Sequence, residues 1–322
     1  MKKVFLIIFS LLLVSCGKTV MEPQTQYVLG TVCTVNLFED GSEELYQDIF
    51  EALNAIDNKF SVNKEYSEIS KVNQSAGSIN AVNVSQEVFE VMTVAKKIAR
   101  ATENSFNPAL GTLIKLWGIG TDSARIPSDD EIEEALKHCD PDSIILSEVD
   151  GSFKIQILDA KTQIDLGAIV KGYASDCIAE LLEKRNVKKA IIDLGGNIYV
   201  FGNKSENPDD MWRVGIRNPI DPDAQPVEIV SLKSGSVVTS GNYERFFEKD
   251  GKRYHHILDS RTGRPAETDL ASVSVISDKS IYCDALATAF FVAGKSGVFE
   301  DILDLREIKT VFVDLSGKTV VK

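Results

Sequence analysis

The sequence predicts a fold that mixes helices with many short strands, which need not be parallel. Five segments carry apolar residues at helical spacing. Most of the other segments alternate apolar and polar residues in the manner of strands. Of the 322 residues, 43% are hydrophobic and 26% are charged. This composition is typical of a globular domain with a packed core.

The predicted elements follow one another along the chain after residue 27. Helices are predicted over residues 43–60, 85–101, 128–138, 168–185 and 284–294. Strands are predicted over residues 27–38, 143–146, 153–158 and 190–194, in a segment that ends at Asp165, and through most of the region before the last helix. Ser85 and Ser128 are favourable N-cap residues for the second and third helices.

The overall charge argues against one class of partner. The formal net charge at pH 7 is −13, and the isoelectric point is about 4.8. A general nucleic-acid binder presents a basic face to the phosphates, so we expect no nucleic-acid partner. A local basic pocket for a small phosphate ligand is still compatible with this charge.

The first residues are typical of an export signal. Two lysines precede an apolar run over residues 4–14, which is too short for a good membrane span. The following LVSC resembles the bacterial lipobox and predicts cleavage before Cys16 and lipidation of that cysteine, although a plain signal peptide with a chance cysteine is the alternative. We expect an exported protein, lipid-anchored to a bacterial membrane and facing the periplasm. The predicted divisions are a signal peptide (1–15), a lipidated tether (16–26) and a folded domain (27–322).

The segment IDLGAIVKGYA is the first candidate site. An acidic residue, Asp165, precedes a glycine turn, and the helix that follows carries Lys171 in its first turn. Backbone N–H groups at a helix start favour anions, and the lysine adds a positive charge. Gly172 inside the helix costs about 1 kcal/mol relative to alanine, which indicates the close approach of a ligand or a neighbouring chain. A solvated lysine on an amphipathic helix is the structural alternative.

Two further segments carry candidate binding groups. VVTSGNYERFF places Ser240, Gly241 and Asn242 in a turn at a strand end, where N–H groups and hydroxyls are exposed; an ordinary hairpin loop is the alternative. In YHHILDSRTGRPA, His255 and His256 alternate on a strand, so only one of them can face a given side. A lone histidine is more often structural than functional.

The segment DALATAFFVAG combines a buried helix with two oxygen ligands. Asp284 and Thr288 are four residues apart, which places both side chains on one helix face, one turn apart. A carboxylate and a hydroxyl are hard ligands that suit Mg²⁺. The alternative is an N-cap aspartate and an unrelated threonine.

Taken in order, these motifs resemble the ApbE family of FAD:protein FMN transferases. The resemblance covers about residues 27–322 and rests on eight segments: LGT, YSEISKVN, FNPALGTLIKLWGIG, IDLGAIVKGYA, DLGGN, TSGNYERFF, HHILDSRTGRPA and DALATAFFVAG. Each segment is weak alone, whereas the set is specific. The resemblance implies an α+β fold with antiparallel sheets and packed helices, akin to a duplicated T-fold.

The resemblance also implies the members of the site. The metal ligands would be the side chains of Asp284 and Thr288 and the main-chain carbonyl of Ala168. The FAD-binding positions would be Leu29, Ser105, Phe106, Asn107, Asp165, Lys171, Ser240, Gly241 and His256. The catalytic positions would be Asp284 and His256, the latter as general base or only as an FAD contact. Some family members carry Met in place of Leu29 and an aromatic residue in place of Asn63.

The activity implied by the resemblance is Mg²⁺-dependent transfer of FMN from FAD to a Thr or Ser hydroxyl of an acceptor protein, with release of AMP. The implied partners are FAD, that acceptor protein and a membrane reached through the lipid anchor. Three alternatives remain open from the sequence. They are a Mg²⁺-dependent FAD pyrophosphatase, a non-catalytic FAD-binding lipoprotein and a redox flavoenzyme.

Overall fold

The computed structural model describes residues 20–207, 209–295 and 308–322. The predicted signal peptide and the predicted lipidation site, Cys16, lie outside these residues. None of the helices within the described ranges is both long and apolar enough to cross a membrane.

The described residues form seven α-helices, and all five predicted helices are among them. Their bounds are α1 Glu43–Phe60, α2 Glu68–Gln74, α3 Gln86–Ala101, α4 Gly111–Trp117, α5 Asp129–Leu136, α6 Val170–Lys184 and α7 Ser280–Ala293. Ser85 caps α3 by accepting the N–H of Val88, and Ser128 forms a reciprocal capping box with Glu131 at α5. Both predicted caps are therefore confirmed.

Strands make up most of the remaining structure. They are β1 Gln24–Val28, β2 Thr31–Asn36, β3 Val82–Val84, β4 Ile144–Val149, β5 Ser152–Ile157, β6 Lys189–Leu194, β7 Asn197–Gly202, β8 Trp212–Ile216, β9 Glu228–Leu232, β10 Gly235–Gly241, β11 Phe246–Lys249, β12 Lys252–His255, β13 Leu258–Asp259, β14 Arg264–Pro265, β15 Leu270–Ser277, β16 Lys309–Asp314 and β17 Thr319–Val321.

An eight-stranded sheet in the order β1-β2-β6-β7-β10-β15-β16-β17 organises the molecule. All of its neighbouring strands pair antiparallel. Helix α7 packs on β10 and β15, α6 packs on α7, and α1 packs on α6. Side chains of the β8–β9 hairpin, including Trp212, form a separate core cluster with Val200 and Ile276 of the sheet. Antiparallel sheets with packed helices confirm the expected fold class.

Two strand predictions were wrong. The segment 27–38 is a hairpin rather than one strand, because Leu29 and Gly30 turn the chain with φ angles of 56° and 70°. Strand β1 also begins at Gln24, so the last residues of the predicted tether belong to the sheet. No strand ends at Asp165, because only Gln163 in that segment forms a bridge, to Leu110.

Helices α6 and α7 cap one another. Neither has a side-chain cap from its own N-cap residue. Instead, Asp284 of α7 accepts the N–H of Gly172 at 2.9 Å. In return, Asp176 of α6 accepts the N–H groups of Ser280 at 2.8 Å and Ile281 at 2.9 Å. Each helix thus satisfies free N–H groups at the start of the other.

This mutual capping requires the two helices to touch at Gly172. A Cβ at this position would lie 2.3 Å from the carbonyl oxygen of Ser280 and 2.8 Å from the Cβ of Asp284. The sequence offered two explanations for this glycine, a ligand or a neighbouring segment of the chain. The close approach of α7 supports the second explanation.

Gly172→Ala tests this contact. The added methyl overlaps backbone atoms, so we expect overpacking to cost about 1–3 kcal/mol. That loss opposes and outweighs a gain of about 1 kcal/mol in helix propensity. Thermal and urea unfolding of the ligand-free protein should therefore show a less stable variant. Lys184→Ala, at the exposed end of the same helix, should stay close to wild type. A Gly172→Ala protein with unchanged or raised stability would contradict the close contact.

Asp176 makes stability depend on pH. Burial raises the pKa of its carboxyl to about 6, even though the N–H groups of Ile281 and Ser280 oppose the shift. A carboxyl with a raised folded-state pKa contributes stability at low pH, and this contribution is lost as the pH rises from about 4 to about 6. Asp176→Asn removes that titration. We expect its unfolding free energy, measured relative to wild type by urea titration, to rise by about 1–3 kcal/mol across the window and level off above it. A pH-independent difference would show that Asp176 titrates normally.

Candidate active site

The predicted metal ligands of α7 face two other elements of the predicted site. Asp284, 3% exposed, lies beside the start of α6, and its Oδ1 is 3.6 Å from the Nζ of Lys171. Thr288, one turn further on, has its hydroxyl 3.2 Å from the hydroxyl of Ser240 at the end of β10. The N-cap position of α7 is Lys279, so Asp284 is not the cap of its own helix.

The loop before α6 is held by Asp165. Its Oδ1 accepts the N–H of Gly167 at 2.8 Å, and its own N–H donates to the carbonyl of Pro108 at 2.9 Å. Burial raises the pKa of Asp165, and the hydrogen bond from Gly167 and the charges of Arg245, Lys115 and Lys171 oppose the rise. The Nζ of Lys171 donates to the carbonyl of Gly167 at 3.3 Å. Ala168 lies in the turn that completes this loop.

The two histidines have different environments. His256 donates its Nδ1 proton to the carbonyl of Arg245 at 3.3 Å. Burial, followed by the charge of Arg245, lowers the pKa of His256 to about 3, so the imidazole is neutral at physiological pH. His255 is 6% exposed, contacts the carbonyl of Ala266 at 3.1 Å and packs edge-on against Phe291. These contacts give His255 a role in packing rather than in binding a ligand.

The turn of Leu29 packs against the DLGGN turn. Asp193 accepts the N–H of Gly196 at 2.7 Å. A Cβ at Gly195 would lie 2.1 Å from the hydroxyl oxygen of Thr31, which follows Leu29 and Gly30 in the β1–β2 turn. Leu29 itself is half-buried against the main core. The fold thus places two of the sequence motifs side by side.

The segment Ser105–Asn107 is packed inside the protein. Phe106 is 2% exposed, and the amide of Asn107 donates to the carbonyl of Cys139 at 2.9 Å and accepts the N–H of Ala109 at 2.8 Å. These contacts give the Asn107 side chain a structural role. The segment reaches the candidate site through the next residue, Pro108, whose carbonyl holds Asp165.

The donor set fits a hard divalent cation that keeps several waters. It contains one carboxylate, from Asp284, and two neutral oxygens, from Thr288 and Ala168. The described ranges contain no group of three or more His, Cys, Asp or Glu side chains that could hold a metal ion. A site built from these oxygens would therefore depend on water or phosphate for its remaining ligands.

A separate cavity of about 580 Å³ lies between α3, α6 and α7. Its lining includes Glu87, Tyr173, Asp176 and Glu180, and none of the predicted site residues. We assign the candidate site to the N-terminal end of α6 because three of the predicted residues, Asp165, Lys171 and Asp284, lie there.

The model of the ApbE family matches residues 29–317 of the chain. The chain belongs to the ApbE family. Its relatives include the FAD:protein FMN transferase of Treponema pallidum, 39% identical over 284 residues that cover 84% of this chain and 78% of the relative. Another is an FAD:protein FMN transferase of Klebsiella pneumoniae, 34% identical over 287 residues that cover 89% and 87%, respectively.

Solved ApbE structures share the fold. The crystal structure of the ApbE protein of Thermotoga maritima is 32% identical, with a TM-score of 0.81 over 93% of this chain and 96% of that one. The apo form of the flavinyl transferase ApbE of Pseudomonas stutzeri is 27% identical, with a TM-score of 0.78 over 94% and 93%. The mixed helical and antiparallel architecture is therefore that of ApbE proteins.

The structure adds two charged residues to the candidate site that the sequence analysis missed, Glu244 and Arg245. Both belong to the TSGNYERFF segment, in which only the turn residues were singled out. Arg245 acts on the pKa of Asp165 and of His256, and Glu244 interacts with Lys171 and Asp284. The sequence feature that could have identified them is a pair of adjacent, oppositely charged residues directly after a turn at a strand end.

Proposed function

We propose that this chain transfers FMN from FAD to a Thr or Ser hydroxyl of an acceptor protein, in a Mg²⁺-dependent reaction that releases AMP. The observation that carries the proposal is a pair of contacts from one face of α7: Asp284 with Lys171 at the start of α6, and Thr288 with Ser240 at the end of β10. The relatives named FAD:protein FMN transferases support it.

The pyrophosphate of FAD would bind at the N-terminal end of α6. Helix N-termini favour anions, and Lys171 adds a positive charge. Arg245 contributes a second cation close enough to influence Asp165 and His256. His256 is neutral and only half-buried, which suits a contact with the bound flavin nucleotide better than proton storage.

Asp284, Thr288 and the carbonyl of Ala168 would hold Mg²⁺. When bound, the metal would neutralise charge on the pyrophosphate and favour departure of AMP. The protein side chains contribute to the reaction by positioning the reacting groups. Lys171 and the α6 N-terminus orient the phosphates, while Ser240 fixes the hydroxyl of Thr288. Placing an acceptor hydroxyl in line with the scissile bond favours that nucleophile over abundant water.

Removing the charged ligand tests this assignment. Asp284→Ala should reduce AMP release from FAD and Mg²⁺ by at least about 100-fold, because a developing phosphate charge loses its stabilisation. Thr288→Val should be milder, since water can replace a neutral ligand. AMP is measured by chromatography and Mg²⁺ binding by calorimetry. Asp223→Ala, an exposed aspartate, is the control. Wild-type activity in Asp284→Ala would show that this helix is only structural.

The nucleophile can be identified by labelling. We expect a native periplasmic or membrane protein of the source bacterium, incubated with enzyme, FAD and Mg²⁺, to become fluorescent in a denaturing gel. Its mass should rise by one FMN moiety, and replacing its modified Thr by Val should abolish the label. Rapid FAD consumption with only free FMN would favour a pyrophosphatase. If FAD stays intact at every Mg²⁺ concentration, both enzymatic functions are excluded and a non-catalytic FAD-binding lipoprotein is favoured.

We also propose that Cys16 anchors the protein to a membrane. The lipobox supports this, and β1 begins at Gln24, so only a short segment separates the folded domain from the cysteine. Membrane fractionation and mass spectrometry should show wild-type protein in the membrane fraction with a lipidated N-terminus. Cys16→Ala should release or mislocalise it. A wild-type protein found entirely in the soluble periplasmic fraction would refute the anchor.

A further inference from the structure

Glu244 lies over the turn between β6 and β7. It follows the Ser240–Gly241 strand end by a short loop, and its Oε1 is 3.9 Å from the position that a Cβ at Gly196 would occupy. Gly196 has a φ of 92°, in the region that favours glycine. The carboxylate therefore extends from one site turn toward another.

The charges around Glu244 place it in the same electrostatic cluster as the proposed pyrophosphate site. Lys171 and Arg245 stabilise its carboxylate, and Asp284 opposes them. Arg217, which lies over the ring of Tyr243 at 5.9 Å, is a further cation within range. Glu244 also directly precedes Arg245, whose carbonyl oxygen lies 3.3 Å from Nδ1 of His256, so it belongs to the same region as the predicted FAD-binding histidine.

Glu244 differs from the three aspartates of the site in having free oxygens. Asp165, Asp193 and Asp284 each accept a backbone N–H from a glycine. Within residues 20–207, 209–295 and 308–322, Glu244 forms neither a side-chain hydrogen bond nor an ion pair. Its carboxylate is available to an incoming donor, whereas the aspartates are engaged in holding turns and helix starts.

We propose that Glu244 is the proton acceptor of the transfer reaction, an inference that rests on the proposed function. The acceptor hydroxyl oxygen forms a new bond to the phosphorus of the FMN half. Its O–H bond breaks, and the proton moves to the Glu244 carboxylate. The bond from that phosphorus to the bridging oxygen breaks, and its electron pair leaves with AMP.

The acid–base properties of the site favour Glu244 over His256. Glu244 is exposed to solvent at its surface, but desolvation by the surrounding site residues raises the pKa of its carboxylate, although Lys171 and Arg245 oppose the rise. Burial lowers the pKa of His256 to about 3. The low pKa makes His256 a weak base, whereas the shift at Glu244 goes in the direction that strengthens a base, so the carboxylate is the better acceptor of the two.

Glu244→Gln tests the inference because it keeps the shape of the side chain and removes the base. AMP release from FAD and Mg²⁺, with water or with the labelled acceptor protein as nucleophile, should fall by at least about 100-fold. FAD affinity, measured by flavin fluorescence with a chelator present, should change by less than about threefold, since no ground-state contact is removed. Glu244→Asp should recover part of the rate.

The pH profile separates proton transfer from a structural role. In wild type the rate should fall as the pH is lowered and Glu244 becomes protonated, and this acid limb should disappear in Glu244→Gln. Glu248→Gln removes an exposed carboxylate from the same hairpin, one that pairs with Arg253, and should leave rate and profile unchanged.

Three results would count against Glu244 as the base. They are a wild-type rate in Glu244→Gln, an acid limb that persists in it, and a rate loss matched by an equal loss of FAD binding. Each would overturn this inference while leaving the proposed function intact. A wild-type protein that cleaves no FAD with either nucleophile would overturn both.

Discussion

The reciprocal capping of α6 and α7 is the constraint on which the site depends. Two buried helices begin against one another, and each lacks a side-chain cap from its own N-cap residue. Without Asp284 and Asp176, N–H groups at both starts would be buried without partners, and each such group costs about 1–3 kcal/mol. Gly172 permits the contact because no Cβ separates the helices. The position of Lys171 follows from this junction.

Because of this constraint, the two carboxylate oxygens of Asp284 have different roles. Oδ2 accepts the N–H of Gly172 and fixes the start of α6, whereas Oδ1 lies toward Lys171. A carboxylate held through one oxygen presents the other in a fixed direction, which suits a metal ligand. The same junction therefore stabilises the fold and orients the proposed chemistry, so the folding and catalytic effects of a substitution at Asp284 must be measured separately.

The sequence was informative where the physics is local. Apolar stripes and serine caps located the five longest of the seven described helices, and strand-end turns located the loops around Ser240 and Gly195. It failed where a non-glycine residue adopts positive φ, as at Leu29, and in the segment that ends at Asp165, where Gln163 forms one isolated bridge instead of a strand. The cap supplied by Asp176 could not be predicted from the sequence either, because residues 176 and 280 come together only in the folded chain.

The site also resolves an apparent conflict between charge and ligand. A protein of net charge −13 would repel an anionic dinucleotide at long range. Around α6, however, four cations act on the carboxyls of Asp165 and Glu244: Lys171, Arg245, Lys115 and Arg217. Salt screens charges beyond about 10 Å, so these cations keep their effect at short range while the long-range repulsion is weakened. The proposed recognition of a pyrophosphate would therefore depend on this local group of cations, whose charge Asp165 and Glu244 partly balance.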